Sequence, residues 1–187
     1  MAKYIIGLVG LLGSGKGTAA KILEERYGAK VFRFSTILRD ILDRLNIEKT
    51  RDNLMTLSEV LRHGFGDDVL AYALENDAVS ANEDLVVIDG IRRLGDLAAL
   101  EPLPNFTLIA IDVPTDIRFE RIKNRGENVG EKHLSREDFE KQEKLPTEIT
   151  IPEVMARASV NIDNRGSLDD LMIKINILMD NLQNLQS

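Results

Sequence analysis

Nine residues, Gly10-Leu11-Leu12-Gly13-Ser14-Gly15-Lys16-Gly17-Thr18, carry the clearest chemistry in this 187-residue chain. Gly10, Gly15 and Lys16 fit the G-x-x-x-x-G-K frame of a phosphate-binding P-loop. Glycine lets consecutive backbone N–H groups curl around a phosphate, because no Cβ blocks the approach. A helix starting near the lysine adds unpaired N–H groups and the positive end of its dipole. Lys16 supplies a mobile full charge that can follow the terminal phosphates. The frame usually continues with Ser or Thr; here Gly17 intervenes, and the hydroxyl suited to Mg²⁺ is displaced to Thr18. A glycine turn without a ligand is the plain alternative. Four glycines and a lysine between an apolar run and a helical pattern instead predict a nucleoside triphosphate held by Gly10, Gly13, Ser14, Gly15, Lys16, Gly17 and Thr18.

Other side chains extend that chemistry. Leu85-Val86-Val87-Ile88-Asp89 reads as an apolar strand ending in a carboxylate, which in a P-loop protein holds Mg²⁺ directly or through water. Capping the next turn is the structural alternative for Asp89. For Asp112, followed by Pro114 and Thr115, capping reads at least as well. Arginine dominates the remaining candidates, and its forked donors suit phosphate oxygens. A single arginine is by default a solvated surface charge. Arg92, Arg121 and Arg125 depart from that default, because they fall where strand ends and a covering segment should meet. Arg118, Arg121 and Arg125 are spaced i, i+3, i+7 and share a helix face. Arg39 and Arg51 sit early in two helical stretches, and Arg136 lies in the polar segment beyond Arg125. Arg26, Arg44 and Arg157 have no such placement. His63 and His133 lack ligand spacing and read as surface or helix-end residues; Tyr4, Tyr27 and Tyr72 read as packing residues.

The elements that must position these groups follow from periodicity. Apolar runs at 3–9, 30–34, 84–89, 106–112 and 158–163 alternate with helical patterns. They predict one three-layer α/β/α domain over 1–187, with a five-stranded, mostly parallel sheet. A helical insertion spans 36–80, and a polar stretch over 125–147 separates the last two strands. The tail from Leu168 repeats apolar residues at Leu171, Met172, Ile175, Leu178 and Leu182, a helix expected on the sheet edge. Ligands of open α/β sheets lie beyond the carboxyl ends of the strands. A P-loop ligand therefore faces both excursions, which predicts an acceptor-binding subdomain at 36–80 and a lid at 125–147. That geometry favours transfer between two bound molecules over hydrolysis.

Composition narrows the class. A net charge of −7 argues against a constitutive nucleic-acid surface. The absence of cysteine excludes disulfides, thiol chemistry and cysteine metal sites. No apolar run reaches the length of a membrane span, and Met1-Ala2-Lys3 leads directly into a core strand. The expectation is a cytoplasmic protein, monomer or homodimer, acting on small molecules and not on membranes.

The motif Gly10–Thr18 resembles the P-loop of adenylate kinases and related nucleoside monophosphate kinases, where the lysine is also followed by glycine and threonine. Ser35-Thr36-Ile37-Leu38-Arg39 is similar to a shortened form of the family's acceptor-phosphate segment. Val87-Ile88-Asp89-Gly90-Ile91-Arg92 resembles its strand-ending aspartate, glycine and nearby arginine, although no proline precedes Arg92. Arg121 and Arg125 resemble the arginines that lead into the lid, which here is short and lacks zinc cysteines. The chain looks closer to a divergent branch that includes dephospho-coenzyme A kinase-like and deoxynucleotide monophosphate kinase-like proteins. There Thr50-Arg51-Asp52-Asn53-Leu54 and Leu61-Arg62 have counterparts near the acceptor.

The resemblance implies a kinase using ATP and Mg²⁺, with Thr18 and Asp89 at the metal. It places Ser35, Arg39, Arg51 and Arg92 on the acceptor, and Lys16, Arg92, Arg121 and Arg125 on the migrating phosphoryl group; Arg136, from its position inside the polar stretch, is expected to close over that group with them. In dephospho-coenzyme A kinases a carboxylate just after the second strand serves a hydroxyl acceptor. Here that place reads Phe32-Arg33-Phe34-Ser35-Thr36, which tilts the expectation toward a phosphate acceptor. An ATP-driven switch on a kinase fold is the reading from another class. A guanine-reading Asn-Lys-x-Asp segment is absent, and Asn164-Arg165 does not supply one.

Overall fold

Parallel strands buried on both faces need nearly continuous apolar sequence, and three strands of this chain have it. The computed structural model describes residues 2–125 and 134–184, Arg125 by its backbone alone. Its strands are β1 (Tyr4–Val9), β2 (Lys30–Arg33), β3 (Leu85–Asp89), β4 (Phe106–Asp112) and β5 (Val160–Asp163). They form one sheet in the order β2-β3-β1-β4-β5. Every ladder is parallel, as the alternation of apolar runs and helical patterns leads one to expect. Alternation along the strands divides the interior into two cores. Ile5, Val9, Val86, Ile88, Leu108 and Ala110 face one side. Ile6, Leu8, Val87, Ile109 and Ile111 face the other.

Helices α1 (Lys16–Tyr27) and α8 (Leu168–Asn184) belong to the second core. In α8 the buried residues Leu171, Ile175, Leu178 and Met179 are spaced i, i+4, i+7, i+8, one apolar stripe. This stripe joins α1 on the sheet face, whereas the sequence suggested an edge position. Leu168 lies outside it and is exposed.

The opposite face receives α2 (Phe34–Arg44) through Phe34 and Leu38, and α4 (Val69–Ser80) through Leu70, Leu74 and Ala78. The short α7 (Ile151–Met155) adds Ile151 and Val154 to the same core. Between α2 and α4 lies α3 (Arg51–Phe65), started by Thr50, whose Oγ1 accepts from the Asn53 N–H at 3.1 Å. The helical insertion thus starts at Phe34, two residues before its expected limit. Helices α5 (Thr115–Arg125) and α6 (Arg136–Glu143) flank the remaining segment. Residues 126–133 of the expected 125–147 lid, with His133, lie outside the described residues, and α6 falls within the lid's second half.

A buried ion pair joins the insertion to the sheet. Arg62 of α3 meets Asp96 with Nη2 and Oδ1 2.6 Å apart, both side chains at most 6% exposed. The second oxygen, Oδ2, accepts from the backbone N–H groups of Arg92 at 2.9 Å and Arg93 at 3.0 Å. Arg62 also donates to the Asp67 carbonyl and to Ser58 Oγ. Such a pair survives burial only because its donors and acceptors are filled, and removing one partner strands the other. Asp96→Ala should lower stability by about 3–5 kcal/mol in urea unfolding. Glu101→Ala, which removes the exposed pair with Arg157, should cost less than about 1 kcal/mol.

Candidate functional site

The loop Gly10–Thr18 runs from the end of the central strand β1 into α1, so its amides gather beyond the sheet's carboxyl edge. Gly13 and Gly15 have φ of 80° and 98°, in the left-handed region that favours glycine. A Cβ at Gly15 would stand 2.4 Å from Asn164 Nδ2, and one at Gly10 would stand 2.5 Å from the Ile111 carbonyl oxygen. Gly10 therefore backs the loop against β4 and does not line the cleft in front of it. A Cβ at Gly17 would meet no protein atom within 4 Å, so nothing in the protein requires glycine there.

Two side chains that sequence reasoning missed as part of the site brace the loop from behind. Asn164, just beyond β5, donates Nδ2 to the Ser14 carbonyl at 2.9 Å, while its own N–H bonds to the Asp112 carbonyl at 2.8 Å. Arg118 is 2% exposed. It donates to the carbonyls of Val113 at 3.1 Å and Leu12 at 3.2 Å, and lies 2.6 Å from Glu143 of α6. The shared helix face expected for Arg118 and Arg121 therefore divides: Arg118 turns under the loop and Arg121 reaches the cleft. Burial of a guanidinium demands that its donors be satisfied, and the Leu12 carbonyl of the loop, the Val113 carbonyl, Thr115 Oγ1 and Glu143 together meet that demand.

Lys16 donates Nζ to the carbonyls of Gly10 at 2.5 Å and Leu11 at 3.2 Å. Its pKa is lowered to about 8. Burial is the main cause, with Arg92 and Arg118 adding repulsion and Asp89 and Glu148 opposing it. Ser14 is buried, and its Oγ has no hydrogen-bond partner among the described residues.

A cleft of about 1760 Å³ opens in front of the loop. Gly13 to Thr18 line it, and so do Ser35, Arg39, Arg51, Asp89, Arg92 and Arg121. The side chain of Arg125 lies outside the described residues. Arg136 corrects the expectation that it closes over the cleft. It pairs with Asp116 at 2.7 Å and Glu140 at 3.1 Å, lies 5.4 Å from the Phe119 ring centroid, and does not line the cleft. Asp112 is exposed and also lies outside the lining. Tyr72, expected to pack, is exposed.

The cleft holds more charge than the sequence indicated. Eleven lining residues are Lys or Arg and six are Asp or Glu, in a chain whose net charge is −7. Arg33 and Arg93 are among the unanticipated cations. Arg33 ends β2 as Asp89 ends β3, and the two are register partners with Nε and Oδ2 3.3 Å apart. Strand-end position was the signal that could have revealed Arg33. Arg92 donates Nη1 to Glu148, whose side chain is 4% exposed, while Thr150 Oγ1 donates to the Arg92 carbonyl at 2.8 Å. Glu148 had no signal, standing in a polar run without periodicity.

Among the described residues, no group of three or more His, Cys, Asp or Glu could hold a metal. The Thr18 hydroxyl and Asp89 carboxylate line the same cleft and offer hard oxygen donors. That donor set fits Mg²⁺ bound chiefly through phosphates and water.

Residues 9–140 match a protein-family model described as an AAA domain. A UPF0200 protein of Saccharolobus islandicus strain M.16.4 is 32% identical over 169 residues, covering 89% of this chain and 87% of the relative. A UPF0200 protein of Hyperthermus butylicus is 29% identical over 180 residues, covering 96% and 95%. Among solved structures, TT1252 from Thermus thermophilus superposes with a TM-score of 0.64 at 20% identity, covering 97% and 99%. Shikimate kinase from Aquifex aeolicus gives 0.56 at 15% identity, covering 94% and 96%. At these identities the likeness is one of fold: a P-loop kinase-like α/β architecture.

The lowered Lys16 pKa gives a signed prediction. The charged form binds a polyanion, and the free protein loses that charge as pH rises through about 8. Affinity for sulfate, which stays a dianion over this range, should fall above pH 8, approaching about tenfold per pH unit, in calorimetric titrations. Lys16→Arg should flatten the profile, and a flat wild-type profile from pH 7 to 10 would contradict this assignment.

Proposed function

The chain belongs to the UPF0200 family and carries an AAA domain; from that premise we propose that it transfers the γ-phosphoryl group of ATP to a nucleoside or deoxynucleoside monophosphate. The observation that carries the reading is the state of the three carboxylates beside Arg33, Arg62 and Arg92, since the cleft's Glu59, unpaired among the described residues, stands apart from them on the exposed side of α3. Asp89 is paired with Arg33, Asp96 with Arg62 and Glu148 with Arg92. A hydroxyl acceptor is helped by a carboxylate free to take its proton. A phosphate oxygen is already ionised and needs neutralising charge instead, which the surplus of lysine and arginine supplies.

In this mechanism the loop Gly10–Thr18 cradles the β- and γ-phosphates of ATP. Lys16 moves from the carbonyls of Gly10 and Leu11 to the transferred group. Ser35, Arg39, Arg51 and Arg92 hold the acceptor's phosphate within the 36–80 insertion, so that one of its oxygens faces the γ-phosphorus. Arg121 and Arg125, at the base of the 125–147 lid, neutralise the migrating group. Mg²⁺, when bound by Thr18 and Asp89, offsets charge on the phosphate oxygens. The oxygen bridging the β- and γ-phosphates leaves with ADP, and the acceptor becomes a diphosphate.

ADP release should rise sharply when monophosphates are added to MgATP, and stay low with dephospho-coenzyme A or shikimate. Lys16→Ala should reduce kcat by about a thousandfold with circular dichroism unchanged. Arg39→Ala should raise KM for the acceptor about tenfold while KM for ATP is retained. Turnover confined to dephospho-coenzyme A would overturn the phosphate acceptor, and slow hydrolysis indifferent to every acceptor would identify a nucleotide-dependent switch.

A further inference from the structure

The insertion half of the cleft is walled by Phe34, Leu38, Leu54, Met55 and Leu70. Beside those walls α3 places two adjacent polar residues on the cleft, the half-buried Ser58 and the solvent-exposed Glu59. Five of the six lining carboxylates are held by cations. Glu25 pairs with Lys21, Asp89 with Arg33, Asp96 with Arg62, Asp138 with Lys141 and Glu148 with Arg92. Glu59 has no hydrogen bond or ion pair among the described residues, although cations outnumber acids in the same cleft. Its neighbour Ser58 accepts from Arg62 Nε at 3.4 Å, which leaves the serine proton to donate elsewhere.

A carboxylate accepts only, and it can take two parallel N–H donors at once. Glu59 and Ser58 together therefore complement an edge that presents one acceptor beside two donors. Guanine has that edge in O6, N1–H and the 2-amino group. Adenine and cytosine place a ring-nitrogen lone pair beside their amino group, which repels a carboxylate. Uracil and thymine flank a single N–H with two carbonyls. Hypoxanthine keeps O6 and N1–H but lacks the 2-amino group.

We propose that the acceptor is a guanine nucleoside monophosphate, GMP or dGMP, with Glu59 accepting from N1–H and the 2-amino group and Ser58 donating to O6. The apolar walls cover the faces of the purine. This assignment rests on the reading of the cleft as a monophosphate site. Arg39, Arg51 and Arg92 take the phosphate end, so the base falls among the side chains of α3 and α4.

Initial rates of ADP release with MgATP should be compared for GMP, dGMP, IMP, AMP, CMP, UMP and TMP. The guanine nucleotides should exceed AMP, CMP, UMP and TMP in kcat/KM by about 100-fold or more, with IMP between. Glu59→Gln, which puts an amide donor where an acceptor stood, should lower kcat/KM for GMP by about 10- to 100-fold and affect IMP far less. Turnover of AMP or CMP at least equal to GMP would overturn the guanine assignment while leaving the kinase reading intact. So would an equal loss for GMP and IMP in Glu59→Gln. Absence of turnover with every monophosphate would overturn both.

Discussion

A loop that aims most of its amides at a ligand has few left for its own carbonyls (the Ser14 N–H reaches the Leu11 carbonyl at 3.1 Å), and buried carbonyls need donors. This constraint organises the centre of the molecule. Lys16 supplies the carbonyls of Gly10 and Leu11, Arg118 that of Leu12, and Asn164 that of Ser14. The Ala19 N–H reaches the Gly15 carbonyl at 2.9 Å and starts the helix. Three side chains from α1, α5 and the end of β5 thus set the loop's shape. Two of them remain as a frame when Lys16 follows a phosphate.

The same economy governs charge. The protein is acidic overall, yet its cleft concentrates cations. A positive recess in a negative body draws polyanions inward and focuses the field where they dock. The paired carboxylates moderate that field, keeping neighbouring guanidinium groups from repelling one another while leaving other donors exposed. Burial makes Asp96 and Glu148 effective in this role, because less water screens them.

The sheet was legible because each strand announces itself locally: all five apolar runs became strands, with at most two residues trimmed from any of them. The P-loop and the strand-ending Asp89 were legible for the same reason, since a strand's end is also the site's edge. Arg39, Arg51, Arg92 and Arg121 reached the cleft as their positions implied. Asn164, Arg118 and Glu148 were not legible as parts of the site, because each acts on a residue at least 56 positions away. Their chemistry depends on how β5, α5 and the α6–α7 segment fold over the loop. Arg136 differs from its expected place because Asp116, Glu140 and the Phe119 ring surround it on its own side of the fold, away from the cleft lining. The α8 stripe gave helix and face correctly, but periodicity carries no information about which part of a sheet receives it.

The Asp96 carboxylate has a mechanical consequence. It clamps a guanidinium on α3 with one oxygen and two consecutive amides after β3 with the other. Parts joined so closely turn together. A tilt of α3 as the insertion admits a guest must therefore swing the backbone of Arg92 and Arg93 by a matching amount. The insertion is a lever with its fulcrum at Asp96, and its short arm ends at the tip of the sheet, beside the cleft.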